Sequence, residues 1–277
     1  MKHRIPKIIK FVNSRFQFPT VCSLYENLLS KENSDFEDFA RIISIDPITT
    51  STVLKIANSP LYGLQGQISE LSKAIFVLGT KQISDLLYLD VTKRMSKAFS
   101  LKHEKLIRFW RQSLMIAFLS REIGKTLKIK EKETLFVSGL LSLIGEIPVI
   151  YLTNKAWIPK ANDSKYPWEE SKSTNGFAYN ELSAEMLKSW GLSHKNIIPI
   201  QHAHLDELVE FNKNAMILQA AFLLYLPYMF ESNFNFNGII ESPKIKRLGI
   251  EIHDLKFIYS KSIDLTEETL TTILSMS

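Results

Sequence analysis

Cysteine is nearly absent from this chain of 277 residues: Cys22 stands alone, so no internal disulfide can form and no Cys-rich zinc site can be assembled. That usage fits a reducing compartment. Glycine is scarce too, 10 of 277 or about 3.6%, roughly half of an average usage of about 7%. No GxGxxG or GxxxxGKS/T string occurs. Both of those loops need glycine where backbone amides approach phosphate, so a Rossmann or P-loop nucleotide site is excluded. Long apolar runs are missing as well. The longest uncharged one, residues 215–230, is interrupted by Gln219 and Pro227 and falls short of the roughly 20 residues that span a bilayer. The first residues are basic but lack the compact apolar stretch and small-residue cleavage pattern of a secretory signal. No transmembrane segment is expected, and the expected location is the cytoplasm.

What is present describes an ordinary globular chain, 45% hydrophobic and 23% charged, which excludes disordered, collagen-like and rod-like classes. The net charge of +5 is 34 Lys+Arg minus 29 Asp+Glu, yet Lys2, Arg4, Lys7, Lys10 and Arg15 all precede the first acid, Glu26. Without those five cations the remainder balances, 29 against 29, so the basic character belongs to one terminal segment. There Ile5, Ile8, Ile9, Val12 and Phe16 follow helical spacing with cations opposite. The plain reading is a helix packed on the core with a solvated basic side. The alternative is docking on an anionic membrane or nucleic acid through Lys2, Arg4, Lys7 and Lys10.

Helical periodicity continues almost throughout. Val21, Leu24, Tyr25, Leu28 and Leu29 mark one stripe; Ser34 with Glu37 reads as a capping box opening the next, with Phe36, Phe39, Ala40 and Ile43 facing inward. Asp46-Pro47 supplies an N-cap acceptor and a first-turn proline for a helix filled by Ile48, Val53, Leu54 and Ala57. Further helices are expected over 69–78, 81–99, 104–127, 131–147, 179–190, 194–204 and 214–230, with three short ones closing the chain. Residues 153–177 read as a long loop with at most a short helical turn. Nothing alternates strictly enough to demand a sheet, so the fold class is all-α.

Several strings in this order resemble one family. Ile43-Ser44-Ile45-Asp46-Pro47, then residues 54–63 (Leu-Lys-Ile-Ala-Asn-Ser-Pro-Leu-Tyr-Gly), then Ala74-Ile75-Phe76-Val77-Leu78-Gly79 are similar to the first half of the HDOD domain, the HD-related output domain of bacterial signalling. Trp110, Ser113 and Ala117, then Glu133, Phe136, Gly139-Leu140-Leu141 and Ile144-Gly145, then Trp190-Gly191-Leu192 and His202 follow the second half. The resemblance spans roughly Phe16 to His204. It implies an N-terminal helical half, 16–100, packed on an HD-like half, 101–205, preceded by the basic helix 1–15 and followed by a helical extension, 206–277.

The related HD phosphohydrolases hold metal through histidine and aspartate from several helices. At the matching positions this chain carries Gln112, Ser142, Leu143 and Tyr179, and His202 alone survives near one. These side chains are poor substitutes for metal ligands. The resemblance therefore implies a non-catalytic signalling or regulatory protein with no metal and no cofactor, acting through a partner protein. No receiver, cyclase or kinase segment is visible, so a separate chain or a small-molecule or nucleotide effector would supply its input. The alternative is a metal-dependent phosphohydrolase acting on a nucleotide or cyclic dinucleotide.

Other constellations carry less chemistry. His202 and His204, two apart, point to different sides of a helix and do not chelate one metal unaided. His253-Asp254 spells the dyad without its context and reads as a helix start. Ser113 and Ser142 lack a visible His/Asp system. Asn58, Ser59, Tyr62 and Gly63 suit a helix stop and sharp turn better than a contact loop. Trp110 and Trp190 read as core; Trp157, Tyr166 and Trp168, in the long polar stretch, read as candidate contact aromatics.

Overall fold

The structure is a computed structural model that describes residues 4–31, 33–58, 68–130, 132–154, 165–205 and 212–275. Every regular element among them is a helix. The chain divides into two compact units, Gln17–Arg94 and a larger one made of Met1–Phe16 with Met95–Ser277.

The smaller unit contains α2 (Thr20–Leu29), α3 (Phe36–Ser44), α4 (Pro47–Ala57), α5 (Leu71–Leu78) and most of α6 (Thr80–Ala98). Its centre is Tyr25, fully buried, tilted against Phe39 at 4.9 Å with its hydroxyl donating to the Thr80 carbonyl at 2.8 Å. The helix starts are set by local acceptors. Asp46 caps α4 by accepting from the amides of Ile48 and Thr49 at 3.0 and 3.2 Å, with Pro47 following it. The capping box of α3 lies one residue later than the sequence suggests: Asp35 and Asp38 exchange the two bonds, while Ser34 donates to the Leu28 carbonyl. Asp35 wins because the helix begins at Phe36, which places a carboxylate at each end of the box. Three apolar side chains expected inside are outside: Leu24 is 37% exposed, and Phe36 at 41% and Ile48 at 59% each lie on the first turn of a helix, where the inward stripe has not yet begun.

The larger unit starts with α1 (Arg4–Arg15) and continues with α7 (His103–Thr126), α8 (Lys132–Leu141), α9 (Glu146–Thr153), α10 (Pro167–Asn175), α11 (Tyr179–Ser189), α12 (His194–His202), α13 (Lys213–Met229), α14 (Phe236–Ile240), α15 (Pro243–Lys246) and α16 (Ile252–Ser275). The axis is α7, with 14 of 24 residues buried, touched by α8, α13 and α16. Gly139 lets α8 close on it, since a Cβ there would lie 2.7 Å from the Ala117 Cα. The final helix runs antiparallel to α7: Arg111 pairs with Glu267 at 2.8 Å and Lys261 with Glu122 at 2.9 Å. Only two of the three closing helices are short; α16 has 24 residues, because its apolar stripe continues through Leu270. The single helix expected over 131–147 is two, interrupted by turns at 142–145. Residues 134–153 are long and apolar enough to cross a membrane, but 89% of that window is buried inside the protein, which makes it core.

The N-terminal helix packs on the larger unit. Phe11 contacts Phe99 and Tyr151 at 6.1 and 5.9 Å, and Asn13 accepts from the Trp190 indole at 2.9 Å. Arg4, Lys7 and Lys10 are exposed, Arg4 donating to the Asn175 carbonyl; Lys2 lies outside the described residues.

Candidate functional site

The interruption between α8 and α9 is the candidate site. Ser142 sits at its start with its hydroxyl returned to the Gly139 carbonyl at 2.6 Å. Leu143 follows, buried. Gly145 ends the turn against α11: its amide donates to the Ser183 hydroxyl at 2.9 Å, which donates to the Tyr179 carbonyl at 2.9 Å. A Cβ on Gly145 would lie 2.7 Å from that same carbonyl oxygen. The contact holds the turn against the first turn of α11 and brings Leu143 and Tyr179 to one cavity.

Glu146, the next residue, is the unexpected member. It opens α9, only 3% exposed, and accepts a hydrogen bond from the Gln112 amide of α7. Burial pushes its carboxyl up from the ordinary range, and the Arg108 charge and the Gln112 bond only partly offset that. Burial, with Glu146 nearby, also pushes the Tyr179 phenol up to about 12 against the opposing effects of Ser171, Arg108 and Asn175. Sequence reasoning missed Glu146, although it is the sole charge between Thr134 and Thr153, and a charge inside an apolar run is a signal in itself.

The residues present do not fit the divalent metal that the HD relatives hold. Gln112 is committed as a donor to a carboxylate, Ser142 to its own helix, Leu143 has no lone pair, and Tyr179 is held protonated. Among the described residues no three of His, Cys, Asp and Glu gather into a possible metal group. His202 ends α12, half-buried.

Asp46 takes the Arg94 guanidinium at 2.7 Å, and Asp90 takes it at 2.6 Å. Asn58 bridges the chain across ten residues, donating to the Ile68 carbonyl at 2.8 Å and accepting from the Ile68 amide at 2.7 Å; Ser59, Tyr62, Gly63 and Trp157 lie outside the described residues. Trp110 is buried in α7, as is Ser113, whose hydroxyl has no hydrogen-bond partner among the described residues. Trp190 ends α11 edge-on to Phe16 at 5.5 Å. His253 pairs with Asp254 on the exposed first turn of α16. Tyr166 and Trp168 are engaged internally, stacked on each other at 4.6 Å, and His204 also stacks on Trp168 at 4.2 Å.

Helices packed around α7 in the larger unit, with Gln112, Ser142, Leu143 and Tyr179 near the turn between α8 and α9, define the class: an all-helical domain. The family model described as HDOD domain matches residues 16–205, and the chain belongs to the HDOD domain family. Solved structures share its fold. An HDOD domain protein from Geobacter sulfurreducens is 18% identical with a TM-score of 0.68, covering 98% of this chain and 97% of that one. A chain from Marinobacter aquaeolei, named as a signal transduction protein, is 14% identical with a TM-score of 0.68 over 95% of this chain and 60% of its own. One from Shewanella amazonensis, named as a phosphohydrolase, is 19% identical with a TM-score of 0.56 over 92% and 97%. No curated protein matches the sequence.

Proposed function

We propose that this protein is a non-catalytic regulator in cytoplasmic signal transduction that acts by binding another protein. The observation that carries the reading is the Gln112–Glu146 hydrogen bond: a position that is histidine in the HD enzymes here carries an amide that donates to a buried carboxyl. Each group engages the other, which disfavours both as ligands for the cation that activates water in metal-dependent phosphoester hydrolysis. The signal transduction name of the Marinobacter relative supports a signalling role, and the phosphohydrolase name of the Shewanella relative is the rival to be tested.

A face for a partner is offered by the smaller unit, where Phe76 is 71% and Phe36 41% exposed, edge-on at 5.6 Å. Paired aromatics in water are costly unless something covers them. The test has two arms. Purified protein with manganese or magnesium is given bis(p-nitrophenyl) phosphate and cyclic dinucleotides; turnover equal to that of the metal alone is expected, and chelator-sensitive turnover overturns the reading. Tagged protein is then cross-linked in its native cytosol beside Phe76→Glu. A partner held by the parent and lost by the variant is expected; recovery of both alone overturns it.

A further inference from the structure

The cations of the N-terminal helix are left without acids. Arg4, Lys7, Lys10 and Arg15 are all exposed, and among the described residues none of them forms an ion pair. The helix runs along α11, from Arg4 on the Asn175 carbonyl to Asn13 on the Trp190 indole. Its apolar side is taken up by that packing: Val12 is fully buried and Phe16 nearly so. At 3.6 residues per turn Lys7 and Lys10 fall opposite Ile5, Ile9 and Val12, on the side away from the core.

The cationic surface continues onto the end of α9. The Arg15 guanidinium rests over the Phe11 and Tyr151 rings at 5.1 and 4.7 Å, and the Lys105 ammonium of α7 donates to the Asn154 carbonyl at 2.7 Å. These two cations flank a helix end where Tyr151 is 39% and Leu152 52% exposed. Of the acids on the adjoining parts of α7 and α11, Glu181 is already held by the Ala178 amide at 3.0 Å and by Lys172 at 3.8 Å, which leaves Glu104 and Glu185 against five cations. An aromatic and a leucine exposed among cations suit an anionic bilayer, where the cations meet headgroups and the apolar tip enters the interface. A nucleic acid would meet the same charge, but its phosphates gain nothing from an exposed leucine and its bases need an open ring face. Tyr151 does not offer one: besides the guanidinium it has the Phe99 and Phe11 rings at 5.6 and 5.9 Å.

We propose that the exposed side of α1, with Lys105 and the last turn of α9, docks the protein on an anionic lipid bilayer, the cations on headgroup phosphates and carboxylates and Leu152 at the interface. Because Val12 and Phe16 are core, α1 docks as it is packed and does not roll its apolar side into the lipid. The proposal goes beyond partner binding and stands or falls separately from it, since neither Phe36 nor Phe76 belongs to this surface.

The probes are sedimenting vesicles of phosphatidylcholine with and without phosphatidylserine, mixed with the full chain. Binding to the phosphatidylserine vesicles alone is expected, falling steeply as salt is raised. A cation at an anionic surface is worth about fivefold in affinity, so Lys7→Gln/Lys10→Gln is expected to bind about 25-fold more weakly. Lys128→Gln/Lys130→Gln removes the same charge past the far end of α7, roughly 35 Å from Lys105 at 1.5 Å per residue, and is expected to bind like the parent. Leu152→Gln is expected to weaken binding without changing its salt dependence. All of these positions are exposed, so unchanged urea midpoints are expected; if a variant does not fold, the lipid and salt dependence of the unaltered protein decides. Equal binding to both vesicles or to neither, an equal loss in the two lysine variants, a Leu152→Gln variant that binds like the parent, or tighter binding to a single-stranded RNA or DNA duplex than to the vesicles overturns the proposal.

Discussion

Glu146 shows how one side chain contributes to the pH response of this protein. Its carboxyl is pushed up by burial, so the native state keeps a proton that the unfolded chain releases above the ordinary value of 4.5. The sign follows: the contribution is full below that value and is lost as pH rises through the higher native one. Glu146→Gln keeps an oxygen for the Gln112 amide and removes the titration. Urea unfolding is expected to show the variant gaining on the parent as pH rises from 5 to 9 and converging with it at low pH. Asp46 carries the opposite sign. Burial raises its carboxyl, but the Arg94 bond and the amides of Thr49 and Ile48 override that and hold it low, so its contribution is lost as pH falls. Asp46→Ala removes cap and ion pair and is expected to cost about 2 kcal/mol or more at pH 7, with Asp46→Asn, which retains a cap oxygen, costing roughly half. The cap was legible because Asp46-Pro47 is local. Arg94, 48 residues away, leaves no trace in the sequence near its partner.

At the scale of elements, periodicity identified nearly every helix and misjudged those whose limits depend on packing. Residues 131–147 form one apolar run in the sequence, yet Gly145 must approach the Tyr179 carbonyl and Gly139 the Ala117 backbone. Only the fold reveals that two close approaches divide and position this run. Gly139→Ala and Gly145→Ala would place a methyl group on backbone atoms that cannot withdraw, and each is expected to cost about 1–3 kcal/mol, measured as a lower urea midpoint at unchanged slope. Phe36 and Ile48 were misjudged for a related reason: an apolar residue on a first turn satisfies a stripe whether or not a neighbouring helix reaches it. Gln112, Ser142, Leu143 and Tyr179 were singled out only through the family resemblance, since nothing in their own spacing marks them. The cavity beside them and the His204 stack on Trp168 were not, because its walls come from positions up to 82 residues apart, Leu143 to Tyr225.

For the whole molecule, the family's matched range and the larger unit's core do not end together. The match stops at residue 205, but α13 buries 12 of its 17 residues and α16 lies along α7 through Met115–Thr266, Arg111–Glu267 and Glu122–Lys261 contacts. A helix apolar on nearly every side is core rather than appendage. Its removal would leave α7, α8 and α12 with bare faces. At roughly 1.5–3 kcal/mol for each fully buried large apolar side chain, losing Ile217, Leu218, Phe222, Leu223, Leu224 and Leu226 removes about 10 kcal/mol or more, comparable to the 5–15 kcal/mol by which a typical domain is stable. A chain ending at Leu205 is therefore expected to keep helical far-ultraviolet dichroism while losing near-ultraviolet signal and a cooperative urea transition, with a rise in binding of a hydrophobic dye. Cooperative unfolding with an intact near-ultraviolet spectrum would show instead that the first 205 residues close their own core, and that α13 and α16 rest on a finished surface.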